Sequence, residues 1–178
     1  MSTSLLARLN AHDRALFARW MIERPAAPTR RAWVALTHLG GLWCTVAIAG
    51  LPLVVGGALR AAAIRAALGL VVSHAIVQIL KRNVLRERPS LGIGVASLVS
   101  IPDEFSFPSG HAAAAMAVAF MYAVAFPVVA LPLLVLAAAV GFSRVCLGVH
   151  YPGDVVVGQA IAIATDLFIL VAMTPHPM

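Results

Sequence analysis

Three short polar runs interrupt an otherwise apolar chain, and together they hold the side chains that phosphate chemistry needs. They are Lys81-Arg82-Asn83-Val84-Leu85-Arg86-Glu87-Arg88-Pro89, then Phe107-Pro108-Ser109-Gly110-His111, then Ser143-Arg144 onward to His150-Tyr151-Pro152-Gly153-Asp154. His150 and Asp154 lie four apart across a Tyr-Pro-Gly turn. That spacing lets the carboxylate hold one imidazole nitrogen and leave the other free to attack. Asp154 is equally suited to cap the helix that follows, and the two roles are compatible. Ser109-Gly110-His111 stands where a helix begins. Free N–H groups and the positive end of the helix dipole favour an anion there. Ser109 can cap and donate, Gly110 lets an oxyanion approach the backbone, and His111 stands ready to protonate a leaving alkoxide. Arg144 is a forked cation suited to phosphate oxygens, and Lys81 and Arg88 add charge where an apolar helix meets water. Each run also has a plain structural reading, as a cap or as cations snorkelling at a helix end. Arg82, Arg86 and Glu87 read as peripheral.

The elements that must position these groups are membrane helices. The chain has 178 residues, of which 61% are hydrophobic and only 11% charged, against about 25% charged in soluble domains. Five apolar stretches, at 32–57, 60–80, 109–126, 128–147 and 154–173, each approach the ~20 residues that a bilayer requires. The expected fold class is an all-α, polytopic bundle of about five transmembrane helices in a single domain over 1–178. Residues 1–30 form an amphipathic N-terminal segment of this domain. There Asn10 is placed to cap a helix, Asp13 favours its positive end, and Leu16, Phe17, Trp20 and Met21 share a face. That face suits either the membrane interface or packing on the bundle. Counting crossings brings all three polar runs to one membrane face: the first leaves the second span, the next opens the third, and the last joins the fourth and fifth. Intramembrane ionisable groups are costly enough that such a convergence points to function.

Other features narrow the class. A net charge of +6 would suggest nucleic acid in a soluble protein; here the arginines read as juxtamembrane anchors, and no nucleic-acid partner is expected. Cys44 and Cys146 have neither disulfide nor zinc spacing. No carboxylate cluster suited to magnesium is visible, so no metal and no cofactor is expected. The first 31 residues carry Arg8, Arg14, Arg19, Arg24, Arg30 and Arg31 without an apolar signal-peptide core, so the first span is expected to direct insertion.

The pattern Lys81-x6-Arg88-Pro89, Pro108-Ser109-Gly110-His111, Ser143-Arg144-x5-His150-x3-Asp154 resembles the complete signature of the type 2 phosphatidic acid phosphatase (PAP2) superfamily. The likeness extends over roughly residues 70–170. It implies a PAP2-like membrane phosphatase of the small bacterial kind, in the inner (plasma) membrane and independent of metal. His150 would be the nucleophile that forms a phosphohistidine, and Asp154 would orient it. His111 would serve as the acid for the leaving group and the base for water. Lys81, Arg88, Ser109, Gly110 and Arg144 would cradle the phosphoryl oxygens. Members often have six spans, whereas about five are counted here.

A phosphate or diphosphate ester of a lipid is the expected substrate. Polyprenyl phosphate derivatives come first, including a polyprenyl-phosphate sugar phosphate, ahead of phosphatidic acid and phosphatidylglycerophosphate. The six N-terminal arginines put the site on the cytoplasmic face, because the other side offers only Arg60 and Arg65; the outer face is the alternative. Three rival functions are a lipid phosphotransferase using the same histidine, a vanadate-dependent haloperoxidase, and a non-catalytic protein of this fold. Apolar spans disfavour the second, and retention of both histidines disfavours the third. Further along, His74, Gln78 and Lys81 share one side of the second span, as helix-packing polars or as contacts to a lipid headgroup. Thr37, His38 and Thr45 read as packing polars. Asp166 reads as an interhelical contact or as a contact within a homo-oligomer; His12 and His176 are expected to be exposed.

Overall fold

The computed structural model describes residues 5–22, 25–92, 97–101 and 103–174; Arg24 and His176 lie outside this set. Eight helices follow one another: α1 Leu5–Trp20, α2 Ala27–His38, α3 Leu42–Gly50, α4 Gly57–Val84, the single turn α5 Pro89–Gly92, α6 Gly110–Ala125, α7 Ala130–Cys146 and α8 Pro152–Ala172.

At the centre is α6. Its run of alanines presents almost no side-chain bulk, so α4, α7 and α8 all pack closely against it, as small residues permit between membrane helices. Most of α6 is buried, including Ala112, Ala117 and Met121. The outside is apolar instead: Val71, Leu131, Phe168 and Val171 are exposed. A soluble monomer rarely shows so extensive a greasy surface, whereas a bilayer requires it.

Three helical runs (Gly57–Val84, Pro127–Cys146 and Pro152–Ala172) are long and apolar enough to cross a membrane, or four spans if the α2–α3 pair counts as one. The all-α membrane bundle is as expected, with three or four long apolar helices among the described residues against the five spans counted in the sequence. The stretch expected as one span over 32–57 is two helices bent by 48°. Gly40 and Gly41 occupy the break, as glycine pairs commonly do at sharp kinks. The sixteen residues of α6 extend only about 24 Å at ~1.5 Å per residue, short of the ~30 Å hydrocarbon thickness. The other boundaries fall within a few residues of expectation.

One further expectation is corrected and two open alternatives are narrowed. Asn10 does not cap α1 and Asp13 does not lie in its first turn, because the helix already begins at Leu5. α1 also packs on the bundle, burying Phe17 edge-on against Tyr151 with ring centroids 5.4 Å apart. Asp166 is wholly buried inside the chain, where a side chain at Gly69 of α4 would run into its carboxylate. It is therefore an interhelical group rather than a contact between copies.

Gly158 fixes how α8 meets the start of α6. A Cβ there would come within 2.5 Å of the Ser109 carbonyl oxygen, so only glycine allows that approach. The Ser109 N–H also donates to the Asp154 carbonyl oxygen at 2.9 Å. The second polar run is thus tied by its backbone to the third.

Candidate active site

The site is assembled where three helices end or begin at the same level. At the end of α4, Leu85 adopts a left-handed conformation (φ 51°), uncommon for a branched residue, and the helix stops. The next residues run extended, with Glu87 in an antiparallel bridge to Phe105. The Ser106 N–H donates to the Arg86 carbonyl at 2.7 Å. This pairing lays the 103–106 segment beside the last turn of α4. Lys81 Nζ thereby reaches Asp103 Oδ2 at 2.9 Å and the Phe105 carbonyl at 3.1 Å.

Arg88, 1% exposed, donates from Nη2 to Asp103 Oδ1 (2.8 Å) and from Nε to the Asp103 carbonyl (2.7 Å). Its Nη1 donates to the Val149 carbonyl at 2.9 Å and lies 3.1 Å from His150 Nε2. A guanidinium can only donate, so Nε2 accepts and the His150 proton sits on Nδ1. That atom faces Asp154 Oδ2 at 3.6 Å, slightly beyond hydrogen-bond length.

His150 owes its direction to the end of α7. Gly148 takes φ +78°, a region that glycine enters at little cost. The chain then folds back, so that the N–H groups of Val149 and His150 both donate to the Arg144 carbonyl (3.1 and 3.3 Å). Arg144 is itself buried; its Nη1 donates to Thr37 Oγ1 at 2.8 Å, and its Nε makes no hydrogen bond among the described residues. Thr37, expected as a packing polar, thus holds a site cation. Ser109 caps α6, accepting from the Ala112 N–H at 3.5 Å.

A cavity of about 500 Å³ opens at this place, lined by Lys81, Arg88, Gly110, His111, Arg144 and His150. These are six of the eight expected site residues. The other two, Ser109 and Asp154, are fully buried and stand behind the wall. Beyond the polar end the cavity continues along Leu42, Val46, Leu70 and Val71. Burial holds His150 well below the usual histidine range, reinforced by the charges of Arg88, Arg144 and Lys81; the ring therefore stays neutral. Among the described residues no group of three or more His, Cys, Asp or Glu side chains is arranged to hold a metal ion.

Two acidic residues and one arginine went unrecognised in the sequence. Asp103 lines the cavity and forms ion pairs with both Lys81 and Arg88. Burial works against its charge, yet those two cations hold its carboxyl below the ordinary carboxylate range. Arg86, expected to be peripheral, is central to a second network. Its Nη1 donates to Asp154 Oδ1 at 2.6 Å and its Nη2 to Asp13 Oδ2 at 2.7 Å, while its guanidinium lies 4.2 Å from the Tyr151 ring centroid. Burial opposes this charge too, but Asp154 and Asp13 raise its pKa. Asp13 Oδ1 also accepts from the Gly153 N–H at 2.7 Å, so a residue of α1 caps α8. The only signal was charge itself, in a chain with seven acidic residues.

Arg86→Met leaves the buried Asp154 carboxylate without its cation. Breaking such a pair costs on the order of 3 kcal/mol, so the variant should melt well below wild type in detergent. Arg86→Lys should recover part of the loss, and an unchanged melting temperature in Arg86→Met would contradict this role.

A family model described as the PAP2 superfamily matches residues 62–176. Over 127 residues the chain is 39% identical to a decaprenylphosphoryl-5-phosphoribose phosphatase of Mycolicibacterium smegmatis, covering 70% of this chain and 68% of that protein. It is 44% identical over 94 residues to the protein of that name from Mycobacterium tuberculosis, covering 52% of this chain and 51% of the relative. The chain thus spans about half the length of this relative. Among solved structures, a phosphatidylglycerolphosphate phosphatase from Bacillus subtilis superimposes with TM-score 0.74 at 23% identity, over 96% of this chain and 90% of that one. Aquifex aeolicus LpxE gives TM-score 0.75 at 22% identity, over 88% and 93%. At these identities the two structures establish a shared fold, a membrane-embedded helix bundle. The matched residues include all three polar runs, and the chain belongs to the PAP2 superfamily.

Proposed function

We propose that this chain is a lipid phosphatase that hydrolyses a phosphate ester at the membrane surface through a phosphohistidine on His150. The observation that carries the proposal is the set of His150 contacts. Its Nε2 lone pair points among buried cations, its Nδ1–H faces a buried carboxylate, and both stand at the polar end of a cavity whose far end is apolar.

In the reaction, Nε2 attacks phosphorus, a P–N bond forms, and the bond from phosphorus to the leaving oxygen breaks. His111, which lines the same cavity and is protonated in the substrate complex, gives that oxygen a proton and becomes neutral. A water then attacks the phosphohistidine, loses its proton to His111, and releases phosphate with His150 regenerated. As Nε2 is consumed the imidazole gains charge, which Asp154 balances across Nδ1. Lys81, Arg88, Arg144 and the N–H groups at Gly110 and His111 spread the charge of the five-coordinate phosphoryl group. Ser109 contributes by capping the helix that presents those N–H groups.

Phosphate entry exchanges one anion for another. Asp103 already forms ion pairs with Lys81 and Arg88, and its side chain is 39% exposed. It can swing to water while substrate oxygens take over its contacts, so neither buried cation is left unpaired. The same exchange withdraws the Arg88 N–H from the attacking lone pair.

The apolar half of the cavity, lined by residues of α3 and α4, suits an isoprenoid or acyl chain. The relatives named for decaprenylphosphoryl-5-phosphoribose favour a polyprenyl-linked phosphate over phosphatidic acid. In this reading the bent α2–α3 pair and the short α6 join the three long helices as five crossings of the inner membrane. Arginines at the N-terminal end then place the site on the cytoplasmic face.

His150→Ala should lower phosphate release from a lipid-phosphate panel by at least about 10³-fold. His111→Ala should lose about 10²–10⁴-fold, and less with a leaving group that needs no proton. Undiminished release by His150→Ala would remove the mechanism. A reporter fused at Met178 should lie outside the cytoplasm; a cytoplasmic reporter would reverse the orientation.

A further inference from the structure

Along α4 the cavity wall changes character in steps. Lys81, Gln78 and His74 fall at intervals of three and four residues, so their side chains stack on one side of the helix. All three line the cavity, followed by Val71 and Leu70. At ~1.5 Å per residue, Gln78 lies about 4.5 Å and His74 about 10 Å below Lys81 along the axis. Among the described residues neither hydrogen-bonds a residue of another helix. His74 is exposed on the cavity side, and the Gln78 amide nitrogen lies 3.3 Å from His74 Nε2, with no other side-chain partner for either among the described residues. A second polar station therefore stands between the phosphate site and the hydrocarbon part of the wall.

This arrangement suits only some lipid phosphates. In a prenyl monophosphate, hydrocarbon begins directly at the phosphate ester. Methylenes would then press against an amide and an imidazole, desolvating them without return at about 1–3 kcal/mol per group. A substrate whose terminal phosphate is separated from its tail by hydroxyl groups would instead meet donors and acceptors for the first ~10 Å.

Resting on the phosphatase reading, we infer that His74 and Gln78 form a subsite for a hydroxyl-bearing spacer. The substrate is accordingly a phosphorylated sugar or polyol joined to its lipid through a second, phosphodiester phosphate. The Gln78 amide and the second His74 nitrogen hydrogen-bond the spacer, and Val71, Leu70 and Val46 take the first carbons of the tail. The two residues thereby set specificity without touching the reacting atoms.

The test compares spaced and unspaced ligands on His74→Phe/Gln78→Met, whose side chains suit the apolar surroundings. Farnesylphosphoryl-ribose-5-phosphate, phosphatidylglycerophosphate and farnesyl monophosphate are each assayed for kcat/KM. Each is also titrated against an otherwise identical pair of proteins carrying His150→Ala, with melting temperature as the binding readout. The double variant should weaken a spaced ligand at least tenfold, mainly through KM, while farnesyl monophosphate binds as well as before or better. Whether the sugar or the glycerol ligand suffers more identifies the spacer. Equal loss for all three ligands, or no loss for any, would overturn the subsite. If wild type releases phosphate from none of them while the titrations still discriminate, the activity reading fails and the subsite stands.

Discussion

Arg88 brings a permanent charge to a place almost closed to water, and much of the site is arranged around satisfying it. A charge so buried is tolerable only when paired and hydrogen-bonded on all sides. Its guanidinium binds the backbone of two separate segments, the carboxylate of Asp103 and the imidazole of His150. One side chain therefore joins the exit of α4, the loop before α6 and the turn between α7 and α8. Donation to Nε2 fixes the tautomer of His150, and with it the nitrogen that carries the lone pair.

Around Arg88 the charges are layered. Lys81 and Asp103 form the side open to the cavity, where an anion can be exchanged. On the far side Arg86 holds Asp154 from behind, while Asp13 of α1 holds Arg86 and caps α8. A helix on the bundle's surface thus supports the carboxylate that faces His150. Burial strengthens each of these interactions and makes each partner hard to remove.

Much of this was legible in the sequence because the chemistry sits in short runs with fixed spacing. The i, i+4 spacing of His150 and Asp154, and a serine and glycine opening a helix before His111, are local relations that survive folding. Counting crossings then brought the runs to one face. What escaped the reading was long-range. Asp103 pairs with Lys81 across a loop of no regular pattern, and Asp13 reaches Gly153 from a helix at the other end of the chain. Nothing in the local sequence marks such partners. Arg86 lies two residues before Arg88, and only the pairing of that segment with 105–106 separates their directions. The break at Gly40-Gly41 was hidden for a different reason, since apolar residues continue on both sides and hydropathy does not register a bend.

The central claim is that a covalent bond forms between phosphorus and His150. Rapid mixing of the protein with a lipid phosphate labelled on its terminal phosphorus, followed by denaturation in alkali, tests it most directly. The account predicts label on the peptide containing His150, stable to alkali, lost in acid, and formed as fast as turnover requires. Turnover without labelled protein, or label that is acid-stable or carried by another residue, would contradict it.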